Sequence, residues 1–173
     1  MDLKSAIRTV PNWPKPGIMF RDITTLIQDP SAFQYACDQL YARYQDQKID
    51  KVLGIESRGF IFGAVLAYKL GVGFVVARKP NKLPYKKISQ EYSLEYGTDK
   101  IEIHEDAVTP GDRVLIVDDL IATGGTVSAA AKLVERLGGE VVELAFVIGL
   151  PDILDKTKIE KYNTFTLVDF EGE

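Results

Sequence analysis

The segment 114–126, VLIVDDLIATGGT, constrains the fold of this chain more than any other. Its leading apolar residues form a run too short for a core helix, so 113–117 reads as a buried strand. The strand ends in Asp118-Asp119, passes through Leu120-Ile121-Ala122 and enters Thr123-Gly124-Gly125-Thr126. A helix is predicted from there over 126–137, stopped by Gly138-Gly139. Strand, loop and helix in that order belong to open α/β sheets, where ligands bind at the carboxyl ends of strands. A site is therefore expected at this loop.

The rest of the chain supplies partners for that strand. Lys51-Val-Leu-Gly-Ile-Glu56 reads as a strand, 57–59 as a turn, 60–70 as a helix stopped by Gly71, and 73–78 as a second apolar strand. This is a βαβ unit, which implies a parallel sheet covered by helices. Strands are also predicted at 141–148 and 165–170. Upstream, Asp29-Pro30 supplies an N-cap and a proline at the first helical position, and apolar residues from Phe33 to Tyr44 recur at helical spacing, predicting a helix over 30–46. Residues 1–10 suit a short helix, whereas the prolines of PNWPKPG predict an irregular arm. Residues 79–91 show no periodicity and read as a mobile loop, followed by a hairpin of 92–97 and 100–107 turning at Gly97-Thr98.

Composition limits the classes of function. With 173 residues, 46% of them hydrophobic, the chain holds one well-buried core, and no linker or repeat divides it, so a single domain over 1–173 is expected. Charges and glycines interrupt every apolar run before the roughly 18–20 residues of a membrane helix, and the N-terminus lacks a signal-peptide pattern. The single cysteine, Cys37, has no partner and lies on the apolar face of the predicted helix, which suits a buried thiol and a reducing cytoplasm. A net charge of −4 argues against general nucleic-acid binding. Basic charge is nonetheless concentrated at 78–87, where Arg78, Lys79, Lys82, Lys86 and Lys87 suit either a small polyanion or plain solvation. His104 alternates with Ile101 and Ile103 on a strand, and as the only histidine it builds no His-based metal cluster or triad.

The chemistry of the loop follows from its residue types. Gly124 and Gly125 allow close backbone approach, free amides at the helix start favour a phosphate, and the Thr123 and Thr126 hydroxyls donate to its oxygens. Adjacent carboxylates repel phosphate but match a vicinal diol, with Mg²⁺ nearby. Diol binder beside phosphate binder describes a ribose 5-phosphate site. No GK[ST] follows the glycines and no GxGxxG is present, so Walker and dinucleotide loops are set aside. A receiver domain would place its acidic pair near the N-terminus.

VLIVDDLIATGGT resembles the phosphoribosyl pyrophosphate (PRPP) motif of the type I phosphoribosyltransferases. Three further segments, 16–23 (PGIMFRDI), 54–63 (GIESRGFIFG) and 92–97 (YSLEYG), resemble the adenine-specific members of that family in order and spacing. The resemblance implies a mostly parallel sheet flanked by helices, a small N-terminal hood over about 1–30 and a flexible catalytic loop over about 79–97. It implies that Asp118 and Asp119 hold the ribose diol and act on the transition state, with Ala122, Thr123, Gly124, Gly125 and Thr126 holding the phosphate. Ser57, Arg58, Arg78, Lys79 and Lys82 would take the pyrophosphate, and the peptide before Ser57 would be cis. Phe20 and Leu150 would sandwich adenine, whose edge is read by the backbone at Met19 and Arg21. Glu95 would be the acid/base group and Tyr96 part of the lid, while Lys86 and Lys87 have no assigned role. The implied reaction is adenine and PRPP giving AMP and pyrophosphate, in a homodimer. Mg²⁺ would be held by PRPP, pyrophosphate and water rather than by direct protein ligands, close to Asp118 and Asp119.

Overall fold

A computed structural model describes residues 1–94 and 96–172. The chain opens with a one-turn helix, α1 (Leu3–Ala6), and an antiparallel pair, β1 (Arg8–Pro11) and β2 (Met19–Asp22), in register from Arg8↔Asp22 to Pro11↔Met19. The arm predicted to be irregular is therefore a hairpin. Pro11 takes the end position of a strand in a two-stranded sheet, where a missing N–H is tolerated, and Pro14 and Pro16 fall in the connecting loop. After α2 (Thr24–Gln28), α3 (Pro30–Tyr44) starts as its sequence predicts: Asp29 Oδ1 accepts from the Ser31 and Ala32 amides at 2.9 and 3.0 Å.

β3 (Lys51–Ile55), α4 (Arg58–Leu70) and β4 (Gly73–Ala77) form the expected βαβ unit, and Gly71 ends α4 in the left-handed conformation at φ 69°. α4 begins at Arg58 rather than at Phe60, so Arg58 and Gly59 lie in a first helical turn instead of a loop. β5 (Lys87–Ser93) and β6 (Thr98–His104) then pair antiparallel from Lys87↔His104 to Ser93↔Thr98. The hairpin thus begins inside the stretch predicted to be a loop, and at its turn the Leu94 amide donates to the Gly97 carbonyl at 3.0 Å. Ile88, Gln90 and Tyr92 are partly buried while Ser89, Glu91 and Ser93 are exposed, a period of two disguised by its polar members.

β7 (Arg113–Ile121), α5 (Gly125–Arg136), β8 (Glu140–Gly149) and β9 (Thr164–Asp169) complete the fold. Five parallel strands lie in the order β4-β3-β7-β8-β9. β7 runs beyond its predicted end at Val117, because Asp118, Leu120 and Ile121 stay paired with Phe146, Ile148 and Gly149 of β8. Its central residues alternate between two cores, as buried parallel strands require. Leu115 and Val117 pack with Leu40, Phe62 and Leu66 of α3 and α4, and Val114 and Ile116 pack with Leu133 and Val134 of α5 and Ile101 and Ile103 of β6. A buried carboxylate ties α3 to β8: Glu143 accepts from Arg43 Nε and Nη2 at 2.8 and 2.7 Å and from the Tyr44 hydroxyl at 2.7 Å.

Candidate active site

The sheet order makes the site. From β3 the chain steps outward to β4, then returns to the other side of β3 and continues through β7, β8 and β9, so connections on either side of the β3–β7 pair diverge. β3 pairs with β7 only as far as Val117, leaving one edge of the last β7 residues open. A cleft of about 260 Å³ occupies this switch point, lined by Glu56, Arg58, Lys79, residues 118–127 and neighbouring apolar groups.

The carboxylates of the pair are not equivalent. Asp119 is buried, 4% exposed, and its Oδ2 accepts from Arg58 Nε at 2.6 Å. Asp118 keeps some exposed surface as a residue, but its carboxyl is enclosed against Gly59 of α4, and its Oδ1 accepts from the Asp119 amide at 2.8 Å. Burial, followed by the negative charge of Asp119, pushes the Asp118 carboxyl well above the usual carboxylate range. α4 can approach these groups because Gly59 has no side chain: a Cβ there would lie 2.8 Å from both Asp118 Oδ1 and the Val117 carbonyl oxygen.

Across the cleft, Gly124 sits at φ 86° and α5 starts with no side chain capping it. The amide of Ser128 makes a helical bond to the Gly124 carbonyl at 3.1 Å, while the first-turn amides ahead of it have no acceptor within the helix and remain available to an anion. Gly125 also admits the β5 hairpin, since a Cβ there would touch the Ser93 carbonyl oxygen and Tyr92 Cδ2 at 3.4 Å.

The basic segment after β4 is gathered by one carboxylate. Glu56 Oε2 accepts from the Lys79 amide at 2.7 Å, and its Oε1 accepts from Arg78 Nη2 at 3.3 Å and from Lys82 Nζ. Burial pushes the Glu56 carboxyl up, but the bonds from Lys82, Lys79 and Arg78 outweigh it and hold it below the usual range. The Lys79 ammonium turns instead to the Tyr92 hydroxyl and Asp99. The Glu56–Ser57 peptide is cis, matching the expectation for this loop.

The structure thus brings Arg58, Lys79, Asp118, Asp119, Ala122, Thr123, Gly124, Gly125 and Thr126 to one cleft. Ser57, Arg78 and Lys82 stand beside it, outside the lining. Met19, Phe20, Arg21 and Leu150 are also outside it. Phe20 meets Trp13 edge to face with centroids 4.4 Å apart, Arg21 lies 4.3 Å over the Phe170 ring, Met19 is exposed, and Leu150 is buried with the α3–α4 core. Tyr96 is exposed at the hairpin turn, its ring 5.9 Å from Lys15 Nζ of the arm. Glu95 lies outside the described residues. Cys37 is a buried free thiol, pushed up to about 11 by burial. Sequence reasoning placed Glu56 at a strand end entering the segment that resembles the pyrophosphate loop but gave it no role of its own, and it missed the packing role of Gly59. The charge at the end of an otherwise apolar strand was the available signal for Glu56.

A doubly wound sheet with an adjacent carboxylate pair and an uncapped helix start at its switch point sets hydrogen-bond acceptors and anion-binding amides side by side in one cleft. The family model for the phosphoribosyl transferase domain matches residues 24–172. Over 173 residues, all of both chains, this sequence is 62% identical to an adenine phosphoribosyltransferase of Desulfosudis oleivorans. The crystal structure of an adenine phosphoribosyltransferase from Thermoanaerobacter pseudethanolicus aligns with a TM-score of 0.94 at 50% identity, covering 97% of this chain and 98% of that one. The Saccharomyces cerevisiae enzyme, solved with an imino-altritol bisphosphate and adenine, aligns at 0.90 and 42% identity over 96% of each chain. The chain belongs to the adenine phosphoribosyltransferase family.

Proposed function

We propose that this protein transfers the phosphoribosyl group of PRPP to N9 of adenine, giving AMP and pyrophosphate for purine salvage. The observation that carries the reading is the joining of Asp118, Asp119 and the uncapped start of α5 in one cleft. The yeast relative solved with adenine supports that base as the acceptor. Departure of pyrophosphate from C1 leaves positive charge on the ribose ring, and the carboxylates beneath the diol lower the energy of that charge. Thr123 to Thr126 hold the 5-phosphate, and Phe20 and Leu150 position adenine as the arm hairpin closes toward the cleft. Arg58 pairs with Asp119, and binding of PRPP would exchange that pair for diol on Asp119 and pyrophosphate on Arg58. Glu95 serves as acid/base group and Tyr96 helps the hairpin turn exclude water.

Mg²⁺ fits this donor set. Among the described residues no group of three or more His, Cys, Asp or Glu could hold a metal, whereas the two aspartates offer hard oxygens to an ion carried largely by the ligand's phosphates and water. When bound, it would neutralise charge on the leaving pyrophosphate. We also place the protein in the cytoplasm as a homodimer. No helix among the described residues is long and apolar enough to cross a membrane. The exposed side of α4 carries Ala64 and Tyr68, the latter 88% exposed, beside the partly exposed Phe60, Ile61 and Val65.

The test supplies Mg²⁺ and PRPP with each nucleobase in turn and measures pyrophosphate release. Release with adenine is expected. Turnover with hypoxanthine or guanine but not adenine would replace the acceptor, and PRPP binding without turnover on any base would make the protein a PRPP sensor.

A further inference from the structure

Glu56 is a charged side chain in the cleft that the reaction as described leaves without a role. It lines the same cavity as Arg58 and Asp118, its side chain is 8% exposed, and three donors of the 78–82 segment converge on it: Arg78 Nη2, Lys82 Nζ and the Lys79 amide. Its own amide donates to the Ala77 carbonyl at 2.9 Å, so the carboxylate is anchored between the ends of β3 and β4. The pairing leaves Arg78 incompletely satisfied. The Arg78 Nε–H is buried with no acceptor among the described residues, and Arg78 Nη2 stands 3.3 Å from the carboxylate, long for a charge-assisted bond. Two side-chain cations and a backbone donor held by one carboxylate form the arrangement a polyanion would take over.

We infer that Glu56 is a positioning residue that competes with pyrophosphate for Arg78, Lys82 and the Lys79 amide at the leaving-group end of the cleft, weakening pyrophosphate binding enough to allow its release. The inference deepens the transferase reading and rests on it. An ion pair that only orders the segment would act in the opposite sense: without it the cations would scatter and pyrophosphate would bind less well. A carboxylate that competes with the product for the same donors makes binding weaker than the cations alone would permit, so its neutralisation tightens binding. Glu56→Gln separates these outcomes because the amide still offers an oxygen to Lys79 while losing the charge.

The experiment measures pyrophosphate as a product inhibitor against PRPP, its direct binding in the presence of Mg²⁺ by calorimetry, and kcat. In Glu56→Gln, pyrophosphate should bind on the order of ten times more tightly, as expected for removing one negative charge several ångströms from a polyanion. kcat should fall as release slows, with a burst of AMP in the first turnover, while the KM for adenine stays unchanged. Glu56→Asp retains the charge and should return kcat and pyrophosphate binding toward the wild-type values; it also serves as the test if the glutamine variant does not fold. Unchanged or weaker pyrophosphate binding in Glu56→Gln, or weaker binding in Glu56→Asp with the wild-type melting temperature, overturns the inference. Failure of the wild-type enzyme to turn over adenine would instead overturn the transferase reading beneath it.

Discussion

At Gly59 a single hydrogen atom decides whether the site can exist. A methyl group there would sit 2.8 Å from Asp118 Oδ1 and from the Val117 carbonyl oxygen, and both belong to β7 at the floor of the cleft. Relief requires α4 to move away from the sheet, which disturbs the core and shifts Asp118 together with Arg58. Gly59→Ala should therefore lower stability by about 1–3 kcal/mol, the usual range for overpacking. It should also weaken PRPP binding beyond that loss, and thermal melting combined with calorimetric titration would check both; wild-type PRPP affinity in a folded variant would contradict the coupling. The sequence marks Gly59 only as part of a turn-forming SRG, since its contact lies some sixty residues away along the chain. The acidic pair itself was legible, but not the difference between its members. That Asp119 pairs with Arg58 while Asp118 is pushed up by burial depends on which side of β7 each occupies.

Among the elements, the arm departs furthest from its sequence pattern. Its two strands are held by Asp22, which accepts from Thr24 Oγ1 at 2.7 Å, from the Thr24 amide at 2.9 Å and from Arg8 Nε at 3.0 Å. The Thr24 hydroxyl and then the Arg8 guanidinium lower the Asp22 carboxyl to about 2. Because the folded value lies below the ordinary 3.8, this contribution is complete above about pH 4 and disappears as pH falls toward 2. The only tryptophan, Trp13, rests on Phe20 in the loop of the same hairpin and reports its state. Trp13 fluorescence should show a transition between about pH 4 and 2 that is missing from Asp22→Ala, whose arm is already loosened at neutral pH. The same transition in both proteins would remove Asp22 as its cause. The β5 hairpin teaches a related lesson: Gln90 occupies an inward position between Ile88 and Tyr92, so hydropathy alone hides the strand.

Over the whole molecule, the parallel sheet is covered on both faces, but α4 keeps an apolar side turned outward that includes the exposed Tyr68. The proposed homodimer would cover that side, close to the Arg58 end of the same helix. Tyr68→Glu should shift sedimentation from dimer to monomer at micromolar concentration and lower activity with it. A variant that stays dimeric would move the interface elsewhere. The sequence by itself determined the parallel α/β class, the long helices and the place of the acidic, glycine-containing loop between a strand and a helix, because apolar period, caps and the DD…TGGT pattern express local chemistry that needs no distant partner. Only the tertiary structure decided that β7 continues through its aspartates, that α4 reaches them through Gly59, and that Glu56 gathers Arg78 and Lys82. Each of those outcomes depends on the side of β3 to which the returning chain adds its next strand, and strand order is a property of packed layers that no local segment encodes.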